Sequence, residues 1–192
     1  MELHELVLKN RSYRSFDANY AVTKEELIAL VEGARLCPAS ANRQMLRYRL
    51  CTGAGEMEKV LKHTRWAAAL PEWHFPPTGH EPTAAIVICH DKTVAPSENA
   101  SATDVGIAAQ TILLAAAEKG LGGCMIGNFG RADLQAELGL PSHVLPVLVA
   151  AIGKPDETIV LETLKNGEPT AYYRDENGVH HVPKRAMEDI LV

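Results

Sequence analysis

From Ser101 to Phe129 the chain reads SATDVGIAAQTILLAAAEKGLGGCMIGNF, and between Val105 and Ala117 only Gln110 and Thr111 break a run of apolar or small residues. A helix with no wet face has to be buried, either in a large core or against another subunit. Ser101 with Asp104 predicts an N-terminal capping pair, the hydroxyl on a free N–H and the carboxylate facing the helix dipole. Gly120 falls where a left-handed C-terminal cap is wanted. LGGCMIG then predicts a central strand whose glycines admit a close neighbour. Ordinary packing accounts for a core helix followed by a core strand. It does not account for the Gly-Asn-Phe-Gly turn, Gly127 to Gly130, at the strand's end.

A chain of 192 residues is long enough to wrap one core around that helix, so residues 1–192 are read as a single domain. The net charge of −5 argues against general nucleic-acid binding or a polybasic membrane surface. No apolar run is read as membrane-spanning, and Met1 leads into ELHELVLKN rather than a basic-then-apolar leader. Cys37, Cys51, Cys89 and Cys124 lie far apart in apolar surroundings with no C-x-x-C. They argue against zinc or iron–sulfur chemistry and for a reducing, cytoplasmic setting. His63, His74 and His80 lack helical metal-ligand spacing, and no H-E-x-x-H occurs, so no metal is expected.

Periodicity supplies the remaining elements. Glu2 to Lys9 predicts a short amphipathic helix. Thr23-Lys24-Glu25-Glu26 is a capping box opening a helix with Leu27, Leu30, Val31 and Ala34 as its buried stripe, which stops before Pro38. Strands are expected at Leu46–Thr52, Ala84–Cys89 and Leu145–Ile152, and helices at Glu56–Lys62 and Arg131–Leu138. Asp156 to Tyr173 reads as an extended tail, and Asp175-Glu176-Asn177-Gly178 as a hairpin turn before a strand at His180–Val182. Pro183 predicts the first position of a last short helix, ending at Leu191.

Four places carry chemistry. Arg11, Ser12, Arg14 and Ser15 form a compact anion-binding cluster, because the guanidinium fork suits phosphate; a solvated loop with surface arginines has the same composition. Asn42 and Gln44, in the Pro38–Gln44 loop, can each offer a donor and an acceptor to a heterocycle or sugar, although Pro, Ser and Asn are also common in turns. Lys184 and Arg185 at a helix N-terminus would oppose the dipole, a conflict that a bound anion removes. His63 to Pro82 is rich in proline and aromatics, which fits a flap over a pocket or a satellite core under a loop. Gly53-Ala54-Gly55 is no dinucleotide fingerprint: the third glycine position holds Glu58, whose charge would face a pyrophosphate.

Taken together, Arg11-Ser12-x-Arg14, Pro38-x-Ser40-x-Asn42-x-Gln44, the Asp104-x-Gly106 helix ending in Gly120-Leu121-Gly122, the strand Cys124–Phe129 and Pro183-Lys184-Arg185 resemble the FMN-dependent nitroreductase family in order and spacing. The resemblance implies an α+β fold: a mixed, mostly antiparallel central sheet flanked by helices, dimeric, with exchanged C-terminal arms. It implies that Arg11 and Ser12 meet the phosphate and ribityl chain of FMN. Arg14 would stand near flavin N1 and O2, where a positive charge stabilises the anionic reduced ring. Pro38, Ala39, Ser40 and Asn42 would line the flavin, with Gln44 approaching from the partner subunit. The Gly127 amide would meet flavin N5, and Lys184 and Arg185 would clamp the phosphate. Met45 and Leu46 stand where the family often has Pro and an aromatic residue.

The implied activity is ping-pong hydride transfer from NADH or NADPH through FMN to a nitroaromatic, quinone or similar small-molecule acceptor. A homodimer would hold the flavin, and no protein nucleophile is called for. Two alternatives stand beside it: a flavin-binding sensor or storage module without turnover, and a different flavin reaction on the same scaffold.

Overall fold

The computed structural model describes residues 2–165 and 167–192. Helix α1 spans Leu3–Lys9, α2 Lys24–Arg35, α3 Ala54–His63, α4 Ala102–Glu118 and α5 Arg131–Glu137. Strands β1 (Leu46–Thr52), β2 (Ala84–Asp91), β3 (Gly122–Ile126) and β4 (Val144–Gly153) form one antiparallel sheet, in the order β1-β2-β4-β3. Strands β5 (Ile159–Thr163), β6 (Tyr173–Arg174) and β7 (His180–Lys184) form a second, mixed sheet, ordered β5-β7-β6. The mixed, mostly antiparallel α+β expectation therefore holds.

Strand alternation explains the layering. On β2, Ala84, Ile86 and Ile88 pack with Leu27, Leu30, Ile112 and Ala116 of α2 and α4. The intervening Ala85, Val87 and Cys89 pack on the opposite face with Met57, Val60 and Leu134 of α3 and α5. Side chains alternate faces along a strand, so a strand covered on both sides reads as a continuous apolar run. Each fully buried aliphatic side chain here contributes about 1.5–3 kcal/mol.

Helix α4 ends as expected. Gly120 adopts φ +74°; Leu121 N–H donates to Ala116 O at 2.9 Å and Gly120 N–H to Ala117 O at 3.2 Å, a Schellman closure. Its start differs. A 3-10 turn, Glu98–Ser101, precedes it, and Ser101 makes no cap bond. The Ser101 hydroxyl instead donates to Glu98 O and meets His90 Nδ1, each at 2.9 Å. Asp104 turns away to accept from the Ser40 N–H at 3.0 Å and hydroxyl at 2.9 Å. Nor is α4 buried all round: Gly106 and Gln110 are exposed. The stretch Glu98–Glu118 has the length and hydropathy of a membrane span, contrary to the sequence reading; here it packs against α2 and the sheet.

Strand β3 lies at the edge of its sheet, not in the centre as its glycines suggested. Its free side is covered by the N-terminal loop: Ser12 bridges Gly123, and Tyr13 N–H donates to Gly123 O at 3.0 Å. The glycines do admit close neighbours. A Cβ at Gly122 would lie 2.5 Å from the Tyr13 ring, and one at Gly123 2.2 Å from Ala151 O. The arginine loop is thereby laid along the strand that ends in Gly127.

Candidate functional site

Residues 156–165 and 167–192 fold back onto this N-terminal loop. The Glu157 carboxylate accepts from the Arg14 and Ser15 amides and pairs with Arg174. The Arg174 guanidinium lies over the rings of Phe75 at 4.7 Å and Trp73 at 5.6 Å. Arg14 is only 8% exposed. It stands over the Tyr172 ring at 5.0 Å and donates to Ser12 O at 3.2 Å.

One cavity of about 390 Å³ is lined by Arg11, Ser12, Arg14, His180 and Lys184, with Gln110 and Met125 among the other walls. Among the described residues three cations border it and no carboxylate does. Arg11 Nε is buried without a hydrogen-bond partner, as is His180 Nδ1. Burial lowers the Arg11 pKa, which marks a charge whose water has been removed without full replacement. A phosphate ester bound beside Arg11 and Lys184 would restore that balance, so these residues fit the phosphate end of FMN.

A second cavity, of about 180 Å³, shares Arg14, Met125 and Tyr172 with the first and reaches Gly127. A Cβ on Gly127 would meet nothing within 4 Å, so there is open room above the strand end. Cys124 also borders this space, and burial pushes its thiol up to about 11; it is protonated at neutral pH and no nucleophile.

The other expected residues lie elsewhere. Ser40–Asn42 is a 3-10 turn, and Ala41, Asn42 and Gln44 all take positive φ. Such backbone is costly for residues with a Cβ and persists where the surroundings enforce it; Asp104 does so here by holding Ser40. Pro38, Ala39 and Gln44 border a separate cavity of about 130 Å³ beside Asp104. Asp104 and Leu113 mark the two cavities along α4. The first is lined by Ala108 as well as Asp104, and the second by Gln110 as well as Leu113, so the two occupy successive turns of that helix.

Lys184 and Arg185 do not open a helix. β7 continues through Lys184, and a 3-10 turn forms only at Met187–Asp189. His180 N–H and Lys184 O face β5 and its flanks, so the nitrogen of Pro183 points to the opposite side. There the two-residue β6 has already ended, and no ladder bond is lost. The expected dipole conflict is therefore absent. Lys184 still reaches the cavity; Arg185 lines neither of the two neighbouring cavities.

In the proline-rich segment Leu70 and Phe75 are buried. Arg65 and Trp66 wall the Gly127 cavity. Among the described residues no group of three metal-ligating side chains occurs.

Comparison with known proteins identifies the family. The model of the nitroreductase family matches residues 7–154, most of the chain. The chain belongs to the nitroreductase family. A relative from Methanothermobacter thermautotrophicus, provisionally named an NADH dehydrogenase/NAD(P)H nitroreductase, is 27% identical over 82% of this chain and 79% of its own length. An FMN-dependent nitroreductase of Clostridium difficile superposes with a TM-score of 0.64 at 25% identity, covering 81% of this chain and 88% of that one. A gut-bacterial enone reductase superposes with a TM-score of 0.71 over 86% of this chain and 94% of its own, and at 16% identity that likeness is one of fold.

Within this nitroreductase-family chain, sequence reasoning missed Tyr172, His180 and Met125 as walls shared with the arginine loop. No spacing signal exists for them. Tyr172 and His180 approach Arg14 because the arm folds back, His180 across 166 positions of chain, and Met125 does so from β3, along which the arginine loop is laid.

Proposed function

We propose that this chain is an FMN-dependent oxidoreductase that takes hydride from NADH or NADPH and delivers it to a nitroaromatic, quinone or similar small acceptor. The observation that carries the reading is the cation-rich, carboxylate-free cavity of Arg11, Ser12, Arg14 and Lys184 opening beside Gly127. Arg11, Ser12 and Lys184 would hold the phosphate end, Arg14 would set the charge beside the ring, and Gly127 would leave room for its reactive edge. Bound there, FMN supplies two-electron hydride chemistry. The protein's share is position, charge and access. The Gly127 cavity admits donor and acceptor in turn, and a quinone that accepts one hydride takes its balancing proton from solvent. The Cys124 thiol, held at about 11 by burial, is a poor proton source at neutral pH.

Residues 1–192 then act as one FMN-binding unit, and we propose that it works as a homodimer. The Pro38–Gln44 loop lies apart from Gly127 in a single chain. A two-fold partner would bring that loop over the partner chain's flavin. Exposed Leu3, Val7 and Leu8 of α1, with Met187, Ile190 and Leu191 at the C-terminus, offer apolar surface for such pairing. The arm's contacts with the Arg14 loop can close within one chain, as here, or be exchanged between two copies.

The test is direct. The purified protein should be yellow, release FMN identifiable by mass, and oxidise NADH or NADPH steadily when a quinone is supplied. A colourless protein that takes up no added FMN would end this reading. Bound flavin with no donor oxidation would mark a sensor or storage module instead.

A further inference from the structure

Arg65 occupies a place that neither the family resemblance nor the phosphate cavity explains. Its amide donates to Asn128 O at 2.9 Å, next to Gly127, and Thr64 bridges Phe129. The segment is thus stitched to the strand-end turn by backbone bonds. Trp66 is fixed beside it, its Nε1–H donating to Thr64 Oγ1 at 2.9 Å. Ala67 then turns at φ +41°, held by Leu70 N–H on Ala67 O at 2.8 Å, with Leu70 buried. A residue with a Cβ is kept in such a conformation only where neighbours enforce it, and such residues gather at ligand clamps. This wall is a built one.

Its chemistry is selective. Among the described residues the Gly127 cavity has two guanidiniums on its border, Arg14 and Arg65, and no carboxylate. Arg14 is committed to Ser12 O, His180 and the Tyr172 ring. The Arg65 guanidinium donates only to backbone carbonyls, Thr64 O at 3.0 Å and Lys62 O at 3.4 Å. No carboxylate among the described residues lies within ion-pairing distance of it. Trp66 and Tyr172 supply aromatic faces. Arg65 is exposed while Arg14 is buried, so of the two it is the cation that faces solvent and a substrate arriving from it.

We propose that Arg65 is a specificity-determining residue that docks an anionic group carried by the flat ring entering the Gly127 cavity. The inference rests on the flavin-oxidoreductase reading above. The anion has two sources with the same chemistry: a carboxylate on the acceptor, or the phosphates of the nicotinamide donor. A plain structural role for Arg65, tying down the end of α3 through the Lys62 carbonyl, predicts no discrimination by substrate charge.

The test compares Arg65→Gln, whose amide keeps a donor for the carbonyls but no charge, and Arg65→Lys with the parent holoprotein. Flavin content is measured first from absorbance, so that loss of FMN is separated from loss of docking. The acceptor pair is 4-nitrobenzoate and the near-isosteric, neutral 4-nitrobenzyl alcohol. The donor pair is NADH and the uncharged 1-benzyl-1,4-dihydronicotinamide. Calorimetric dissociation constants for the two nitro compounds accompany the KM values.

In Arg65→Gln the anionic member of one pair should weaken by about tenfold relative to its neutral counterpart, the low end expected for an exposed charged hydrogen bond. Arg65→Lys should recover part of that ratio. A shift in the nitro pair assigns the anion to the acceptor, and a shift in the donor pair assigns it to the nicotinamide nucleotide. Unchanged ratios in both pairs, or equal losses for charged and neutral members, would overturn the proposal while leaving the FMN reading intact.

Discussion

Arg14 Nη1 lies 3.2 Å from His180 Nε2. A guanidinium only donates, so Nε2 must accept and the imidazole proton resides on Nδ1. That Nδ1 is buried and has no protein partner, although His180 borders the phosphate cavity. Burial, helped by the charges of Arg14, Arg174 and His181, pushes the His180 pKa down to about 4. The ring is therefore a neutral donor at neutral pH.

The first prediction follows from that shift. An unfolded chain takes up the His180 proton near pH 6.5, and the native chain refuses it until about pH 4. Between those values the unfolded state binds more protons, so stability falls as pH drops through this window and rises as pH climbs back. His181 runs the other way: the hydrogen bond to Glu162 raises its pKa, and it adds stability that is lost at higher pH. His180→Phe removes only the first contribution. Urea midpoints at pH 7 and pH 4.5 should differ less in the variant than in the parent; an unchanged difference would refute the assignment.

Glycines of the 122–127 stretch should separate by role. Gly123→Ala drives a Cβ to 2.2 Å from Ala151 O, a backbone atom that has nowhere to go. A loss of about 1–3 kcal/mol is expected from such overpacking. Gly127→Ala meets nothing within 4 Å and should leave the thermal midpoint within a degree or two of the parent. It should instead lower FMN affinity, because its methyl group enters the space assigned to the ring. Calorimetry with flavin titration distinguishes the two, and a normal flavin affinity in Gly127→Ala would remove Gly127 from the site.

Asp104 is the post on which the Pro38–Gln44 loop hangs. Asp104→Ala leaves the Ser40 amide and hydroxyl without their acceptor, a change worth about 1–3 kcal/mol when the groups are not rehydrated. Asp104→Asn keeps a carbonyl oxygen there and should lose less. Urea unfolding reads the order Ala worse than Asn; equal losses would mean that the carboxylate charge, and not the two hydrogen bonds to Ser40, is what matters.

The same residue shows where sequence reading reaches its limit. Ser101 and Asp104 carry the spacing of a cap, yet Asp104 bonds a loop 64 positions away. A side chain facing a crowded interior takes the donor that tertiary packing brings, and local spacing is blind to it. β1 and the Thr23 capping box were legible because alternation and reciprocal capping are decided within a few residues. β3 was misplaced for the converse reason: glycine-rich apolar segments look central, and nothing local says that Tyr13 covers their edge. Arg11, Ser12 and Arg14 were legible as a cluster. Their convergence with Lys184 was expected from the family resemblance, while Tyr172 and His180 had no motif to announce them.

Lys184 and Arg185 give the sharpest division between that resemblance and the geometry. Both were expected to clamp the phosphate, but only Lys184 lines the cavity with Arg11. Its side chain extends from β7, whose backbone bond from Leu164 N–H to Lys184 O, 2.8 Å long, survives truncation. Lys184→Ala should therefore fold normally and bind FMN more weakly by about 10- to 100-fold, the loss of one charge-assisted hydrogen bond. Arg185→Ala should change the dissociation constant by no more than about twofold, as expected of an exposed charge outside the site. Raising ionic strength from low salt to about 0.15 M should weaken the parent more than Lys184→Ala, since the variant has one fewer charge to screen. Flavin fluorescence titrations of the three proteins at two salt concentrations make the comparison. Equal effects of the two substitutions would place Arg185 in the clamp and show that the C-terminal arm adopts another path when the ligand is bound.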